Sequence, residues 1–327
     1  GDEFAVILER TWTAADAAKV AERILASLSQ PVRVAETEVA LGASIGLAIG
    51  DATTGDADEL ERNADLALYQ SKAAGKRRCT VYETSMHTEA VHRLQFTTEL
   101  RLALERGEIG VMYQPVVELD TGNVVGLEAL ARWHHPVRGL IQPCEFIGLA
   151  EETGLITVLG RQVMTSALTQ IAEWHQKYPR HASTRIAVNL SGRQLGSGEL
   201  VGEVAGLLEC TGIDPGTVIL EITESVLLPG EGVTVDRLRG LAGLGPSLYI
   251  DDFGTGFSSL NSLRSLPVRG VKLAREFVDR LPAPEEIGFV RAVRELVATL
   301  GLEAVVAEGL EEESQRLALS AIGYRLG

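Results

Sequence analysis

From about residue 94 onward, short apolar runs alternate with stretches of helical periodicity, and six of the runs end on a polar residue that can do chemistry. Val124-Val-Gly-Leu ends on Glu128, Arg185-Ile-Ala-Val on Asn189, and Thr217-Val-Ile-Leu on Glu221. Ser247-Leu-Tyr-Ile ends on Asp251 with Asp252 next, Val268-Arg-Gly-Val on Lys272, and Glu303-Ala-Val-Val-Ala on Glu308. One more run, residues 110–117, precedes them, and helical patterns cover 160–177, 200–210, 233–242 and 287–300. Alternation of this kind predicts an α/β fold with a parallel sheet and helices outside it. Seven or eight units in about 230 residues fit a closed (β/α)8 barrel of the TIM type.

In a parallel barrel every strand ends on the same face, so these six polar residues are expected around one mouth. A strand period of two then sends Gly126, Ile219 and Tyr249 inward with Glu128, Glu221 and Asp251. It sends Val125, Leu127, Val218, Leu220, Leu248 and Ile250 outward to the helices. Several carboxylates in one mouth repel each other unless cations lie between them. The donors are all oxygen, carboxylates plus the Asn189 amide, which suits Mg²⁺, Mn²⁺ or Ca²⁺ rather than zinc. Adjacent Asp251 and Asp252 reach different sides, as two neighbouring ions would need, and such a pair serves phosphoryl transfer. Helix capping accounts for one or two positions, such as Glu224 or Ser191. It is a poor account of six strand ends, one of which is lysine.

Composition narrows the function further. A formal charge of −15 argues against a broad basic surface for DNA or RNA, but not against a small phosphate-bearing ligand held through metal ions. With 45% apolar and 23% charged residues the chain is globular, and no apolar run approaches the roughly 20 residues of a membrane helix. Three separated cysteines, Cys79, Cys144 and Cys210, fit neither a disulfide framework nor a zinc cluster. A cytoplasmic setting is therefore expected, with Cys144 and Cys210 as small buried residues. The chain opens like mid-domain sequence, which leaves room in the parent protein for upstream segments, including ones that could attach it to a membrane.

Before the barrel lies a separate block. It reads as a strand at 4–8, a helix at 14–28, strands at 32–34 and 39–49 (the latter broken by Gly42 and Gly46), a helix at 58–74 stopped by Gly75, and a strand at 79–82. Residues 86–106 read as a helix leading into the barrel.

Glu128-Ala-Leu-Ala-Arg-Trp133 resembles the signature of EAL domains. The resemblance continues through Gln114-Pro-Val-Val, Asn189-Leu-Ser, Glu221-Ile-Thr-Glu224, Asp251-Asp-Phe-Gly-Thr-Gly256, Lys272 and Ala307-Glu-Gly309, in order and across the whole second block. It implies an EAL-type barrel that hydrolyses cyclic di-GMP to linear pGpG with two Mg²⁺ or Mn²⁺ ions. It implies metal ligands at Glu128, Asn189, Glu221, Asp251 and Asp252, and catalytic roles for Lys272, which holds the attacking water, and Glu308, a candidate base. Gln114, Leu130 and Arg132 become substrate contacts, and Glu224 braces the loop after Asp252. That loop, through Ser258-Ser-Leu260, is associated in the family with metal binding and with pairing into a homodimer. His134 and His135 are read as loop residues rather than ligands.

Gly1-Asp-Glu-Phe4, Ala43-Ser-Ile-Gly46, Asp65-Leu-Ala-Leu-Tyr69 and Lys72-Ala-Ala-Gly75 resemble the second half of a GGDEF domain, an α+β fold. The expected organisation is a partial GGDEF domain over 1–84, a connecting helix over 85–106, and an EAL domain over 94–327. The EAL domain is expected to be incomplete at its C-terminus, lacking a late glutamine and a final helix. No cyclase activity is expected of this chain. One departure bears on mechanism: the EAL family places Asp two residues after the lysine, where this sequence has Ala274. The alternative to an active phosphodiesterase is therefore a degenerate domain that binds cyclic di-GMP as a receptor or regulates an attached cyclase.

Overall fold

The structure, a computed structural model, describes residues 3–8, 13–34, 37–39, 41–50, 56–224, 232–256 and 260–327. The chain divides into two units, Gly1–Thr98 and Glu99–Gly327.

In the first unit α1 (Ala14–Leu28) starts at Thr13, whose side chain accepts from the Asp16 amide. β1 (Val32–Val34) and β2 (Thr37–Val39) pair antiparallel, whereas β3 (Ile45–Leu47) and β4 (Cys79–Val81) pair parallel. Between the latter two runs α2 (Ala57–Ala73), capped by Asp56 on the Glu59 amide. A Cβ at Gly46 would collide with backbone at Ala64 and Leu68, so a side chain there would push α2 off β3. Two expectations fail in this unit. Residues 39–49 do not form one strand: Val39 is the last residue of β2, and β3 occupies only Ile45–Leu47. Residues 4–8 form no strand: nothing among the described residues pairs with them, and Phe4 and Ile7 are exposed. A strand without a partner leaves its backbone groups to water. α3 (Thr84–Arg106) begins in this unit and ends in the next, where it buries Leu100, Ala103 and Leu104.

The second unit holds β5 (Ile109–Val117), β6 (Val124–His135), β7 (Gly139–Ile141), β8 (Arg185–Leu190), β9 (Val218–Thr223), β10 (Ser247–Phe253), β11 (Val268–Leu273) and β12 (Ala304–Ala307). Around them lie α4 (Pro143–Thr153), α5 (Ile156–Lys177), α6 (Gly192–Gly196), α7 (Leu200–Thr211), α8 (Gly232–Gly243), α9 (Leu260–Ser265), α10 (Arg275–Val278), α11 (Pro284–Thr299) and α12 (Glu313–Ile322). The sheet order is β12-β11-β10-β9-β8-β6-β5, with β7 attached to β6. Pairing is parallel from β6 to β12. β5, expected to be parallel like the rest, runs antiparallel to β6, because a short turn joins them and leaves no crossover helix. Residues 325–327 close the ring. The Leu326 carbonyl accepts from Ala307 N at 3.0 Å, and Val117 and Gly327 exchange amide bonds of 2.8 and 3.1 Å.

The side-chain partition expected from alternation holds. Ala187, Ile219, Tyr249 and Val306 pack together inside the ring, with Val116 and Leu326 against them. Leu220, Ile222, Leu248 and Ile250 are fully buried on the other face, beneath the helices. Gly270 exists for Tyr249: a Cβ there would lie 2.7 Å from the phenol ring. Arg185 donates to the Tyr249 hydroxyl at 3.2 Å.

Both cysteines expected to be buried are exposed. α4 buries Phe146, Leu149 and Ala150, and α7 buries Leu200, Val204 and Leu208. Cys144 and Cys210 each fall two residues from a buried position, on the far side of the helix.

Candidate active site

β6 runs past Glu128 to His135 instead of stopping at the glutamate. Its parallel pairing with β8 nevertheless ends at Ala129↔Val188, so Glu128 still lies at the end of the parallel ladder, opposite Ala187. Asn189 and Tyr249 flank Glu221 in the adjacent ladders, and Asp251 lies two residues beyond Tyr249 on β10, opposite Thr223. Lys272 sits on β11 beside Val306, and Glu308 follows directly after β12.

Lys272 is the hub. Its Nζ lies 2.8 Å from Glu128 Oε2, 3.1 Å from Glu221 Oε2, 3.3 Å from Asp251 Oδ1 and 2.5 Å from Glu308 Oε1. Asn189 Nδ2 donates to Glu128 Oε1 at 2.9 Å, which leaves the amide oxygen as the atom available to a cation. Carboxylate oxygens of Asp251, Asp252 and Glu308 all come within 4.8 Å of one another.

Burial and mutual repulsion set the electrostatics. Burial pushes Glu221 well above the carboxylate range; the Lys272 ammonium opposes this, and Glu128 and Asp251 reinforce it. Glu308 is pushed up to about 7, first by burial, against the pull of Lys272. Burial and then Asp251 raise Asp252. Burial works against the charge on Lys272, yet Glu221, Glu128, Asp251 and Glu308 outweigh it and hold the ammonium well above the lysine range. Five carboxylates thus face one ammonium.

The residues fit divalent cations on two observations of the structure. The donor set is oxygen-only. Asp251 Oδ1 is buried without a hydrogen bond, since its 3.3 Å approach to Lys272 is an ionic contact and not a directed bond. Asp252 is held at φ 52°, a left-handed conformation that breaks the regular strand alternation, and its carboxylate comes within 4.8 Å of those of Asp251 and Glu308. Beyond it, Glu224 Oε2 accepts from Gly254 N at 3.0 Å and Gly256 N at 3.1 Å, tying down the loop. Ser258 and Ser259 lie outside the described residues.

Gln114 stands directly across from Glu128 in the β5–β6 ladder, Met112 across from Leu130, and Gly110 across from Arg132. Arg132 makes no ion pair among the described residues; Nη1 bonds the Ala131 carbonyl at 2.8 Å. His134 and His135, expected in a loop, are instead the last two residues of β6 and pair with Leu140 and Gly139 of β7, and His135 Nδ1 accepts from Val137 N at 3.1 Å and Arg138 N at 3.0 Å in the turn between the two strands. Met112 is passed over by the sequence reading, although a period-two count back from Gln114 reaches it.

Fold and site together define a (β/α) barrel whose mouth is a carboxylate–lysine cluster suited to divalent cations. The family model "EAL domain" matches residues 97–327, and "Diguanylate cyclase, GGDEF domain" matches residues 1–78. The chain belongs to the EAL domain family, preceded by part of a GGDEF domain. It is 40% identical over 326 residues to the bifunctional diguanylate cyclase/cyclic di-GMP phosphodiesterase MucR of Pseudomonas aeruginosa, covering 99% of this chain and 47% of that one. It is 36% identical over 330 residues to the cyclic di-GMP phosphodiesterase PdeR of Escherichia coli, covering 100% of this chain and 49% of that one. The chain thus spans about half the length of these curated relatives. Among solved structures, the PaMucR phosphodiesterase in complex with c-di-GMP matches at 39% identity and TM-score 0.67, covering 71% of this chain and 93% of that one. No helix among the described residues is long and apolar enough to cross a membrane.

Proposed function

We propose that the barrel is a cyclic-di-GMP-specific phosphodiesterase that hydrolyses its substrate to linear pGpG. The observation that carries this reading is Lys272, held at a barrel mouth within 3.3 Å of Glu128, Glu221, Asp251 and Glu308. Glu128, Asn189, Glu221, Asp251 and Asp252 would hold two Mg²⁺ or Mn²⁺ ions, which supply charge neutralisation at the phosphoryl oxygens and acidify a bound water. Lys272 donates a hydrogen bond to the attacking water and fixes its direction toward phosphorus. Glu308, beside the lysine, accepts the proton as the new P–O bond forms and one ester P–O bond breaks, and the leaving ribose oxygen takes up a proton from solvent to become the free hydroxyl of pGpG. Arg132, free of carboxylate partners among the described residues, binds a phosphate oxygen. Gln114 bonds a guanine edge. Glu224 keeps the Asp251-Asp252 loop in place through two backbone amides.

One observation favours the receptor alternative. Ala274 is buried and occupies the N-cap of α10 without any side-chain acceptor, where the EAL family carries aspartate. The deciding experiment incubates the purified chain with cyclic di-GMP and Mg²⁺ or Mn²⁺ and follows pGpG by chromatography. Turnover is expected. Tight binding with no pGpG, and turnover appearing only in Ala274→Asp, would establish a receptor instead.

A further inference from the structure

The wall above the carboxylate cluster carries a side chain that the proposed reaction does not use. β6 last pairs with β8 at Ala129↔Val188, whereas β5 still pairs with β6 at Ile109↔Trp133. Residues 110–113 and 130–132 therefore continue past the parallel ladder as a two-stranded ribbon at the mouth, which β7 joins from Trp133 onward. Alternation assigns its faces. Ala129, Ala131 and Trp133 are buried on the helix side, Trp133 lies edge-on to Phe146 of α4 at 5.9 Å, and Tyr113 lies edge-on to Trp174 of α5 at 4.9 Å. The opposite face carries Glu128, Leu130 and Arg132 on β6 and, directly across from them, Gln114, Met112 and Gly110 on β5. Val116, the next residue inward on that face of β5, packs in the barrel interior, so the face looks into the mouth.

Met112 is 43% exposed on this face. Directly opposed residues of an antiparallel pair have Cβ atoms about 5 Å apart, which brings Met112 and Leu130 into contact range. The two side chains make an apolar shelf with an amide on one side, Gln114, and a guanidinium on the other, Arg132. That order, amide, apolar surface, cation, complements a nucleotide: base edge, base face, phosphate. The thioether is flexible and polarizable, well suited to lie against a ring.

We infer that Met112 is a specificity-determining residue of the mouth, forming with Leu130 the shelf on which one purine base of the substrate lies flat. The inference rests on the cyclic di-GMP reading of the site. Its test compares wild type, Met112→Ala and Met112→Leu by steady-state hydrolysis of cyclic di-GMP, by calorimetric titration with cyclic di-GMP in Ca²⁺, and by thermal melting. Met112→Ala is expected to raise KM and Kd roughly tenfold, about 1.4 kcal/mol. It leaves kcat within about twofold of wild type, as loss of binding shared by ground and transition states should. Met112→Leu restores KM, and neither variant moves the melting temperature. An unchanged KM and Kd in Met112→Ala, with wild type active, overturns the shelf and leaves the phosphodiesterase reading standing. If wild type binds without turnover, the phosphodiesterase reading falls and Kd alone decides the shelf, a weakened Met112→Ala supporting it and an unchanged one overturning it. If wild type neither binds nor cleaves, both fall.

Discussion

The ring of strand ends and the ribbon beside it use opposite physics. On the parallel strands, Glu221 and Lys272 are almost completely buried, and the ladders fix each charge relative to the next. On the β5–β6 ribbon, Gln114 and Met112 are exposed and Arg132 is only half-buried, with no ion partner among the described residues. A buried cluster of like charges is unfavourable unless cations join it, so the ring is built for chemistry at the expense of stability. The ribbon loses little by being open and is free to fit a ligand. On the proposed reading, reaction and recognition are separated along one strand, β6, which would contribute Glu128 to the first and Leu130 and Arg132 to the second.

The largest effect should come from emptying the ring. Stripping divalent ions with a chelator is expected to abolish hydrolysis, Mg²⁺ or Mn²⁺ to restore it, and excess Ca²⁺ to inhibit through its looser coordination; activity persisting in chelator breaks the comparison. Next, Glu128→Ala and Lys272→Met should each lower kcat on the order of 10³-fold. Lys272→Met leaves four neighbouring carboxylates without their ammonium, so it should also destabilise the fold by about 3 kcal/mol, read by urea unfolding and partly recovered with Mg²⁺. A smaller loss, roughly 10–100-fold in activity or metal affinity, is expected for Glu224→Ala, which frees the Gly254 and Gly256 amides. Glu224→Gln keeps an acceptor oxygen and should lose less. Least affected is Trp133→Phe on the ribbon's buried side. It removes the 3.2 Å Nε1 bond to Glu108 and should cost about 1 kcal/mol in unfolding free energy with kcat nearly unchanged.

The ring was readable because its signal is local and repeated: an apolar run, then a polar residue, at Asn189, Glu221, Asp251, Lys272 and Glu308. The long helices were equally readable; residues 160–177 fall inside Ile156–Lys177, and 200–210 inside Leu200–Thr211. The ribbon was not, because Glu128 looked like the end of its strand. The alternation continues, with Ala129, Ala131 and Trp133 buried and Leu130, Arg132 and His134 on the other face, but two alanines weaken the apolar contrast. The direction of β5 depends on the short turn after it, and closure of the ring on residues 325–327, over two hundred positions from Val117, which no local pattern encodes. Residues 4–8 look like a strand by composition, but pairing is decided by a partner.

The central claim is that the barrel mouth gathers oxygen donors to hold a pair of divalent cations. Anomalous diffraction at the manganese edge, from crystals of this chain grown with Mn²⁺, tests it directly. Two peaks are expected, within about 2.3 Å of oxygens from Glu128, Asn189, Glu221, Asp251 and Asp252. Full Mn²⁺ in the crystal with no peak among those side chains, and Lys272 still alone between the carboxylates, would contradict it.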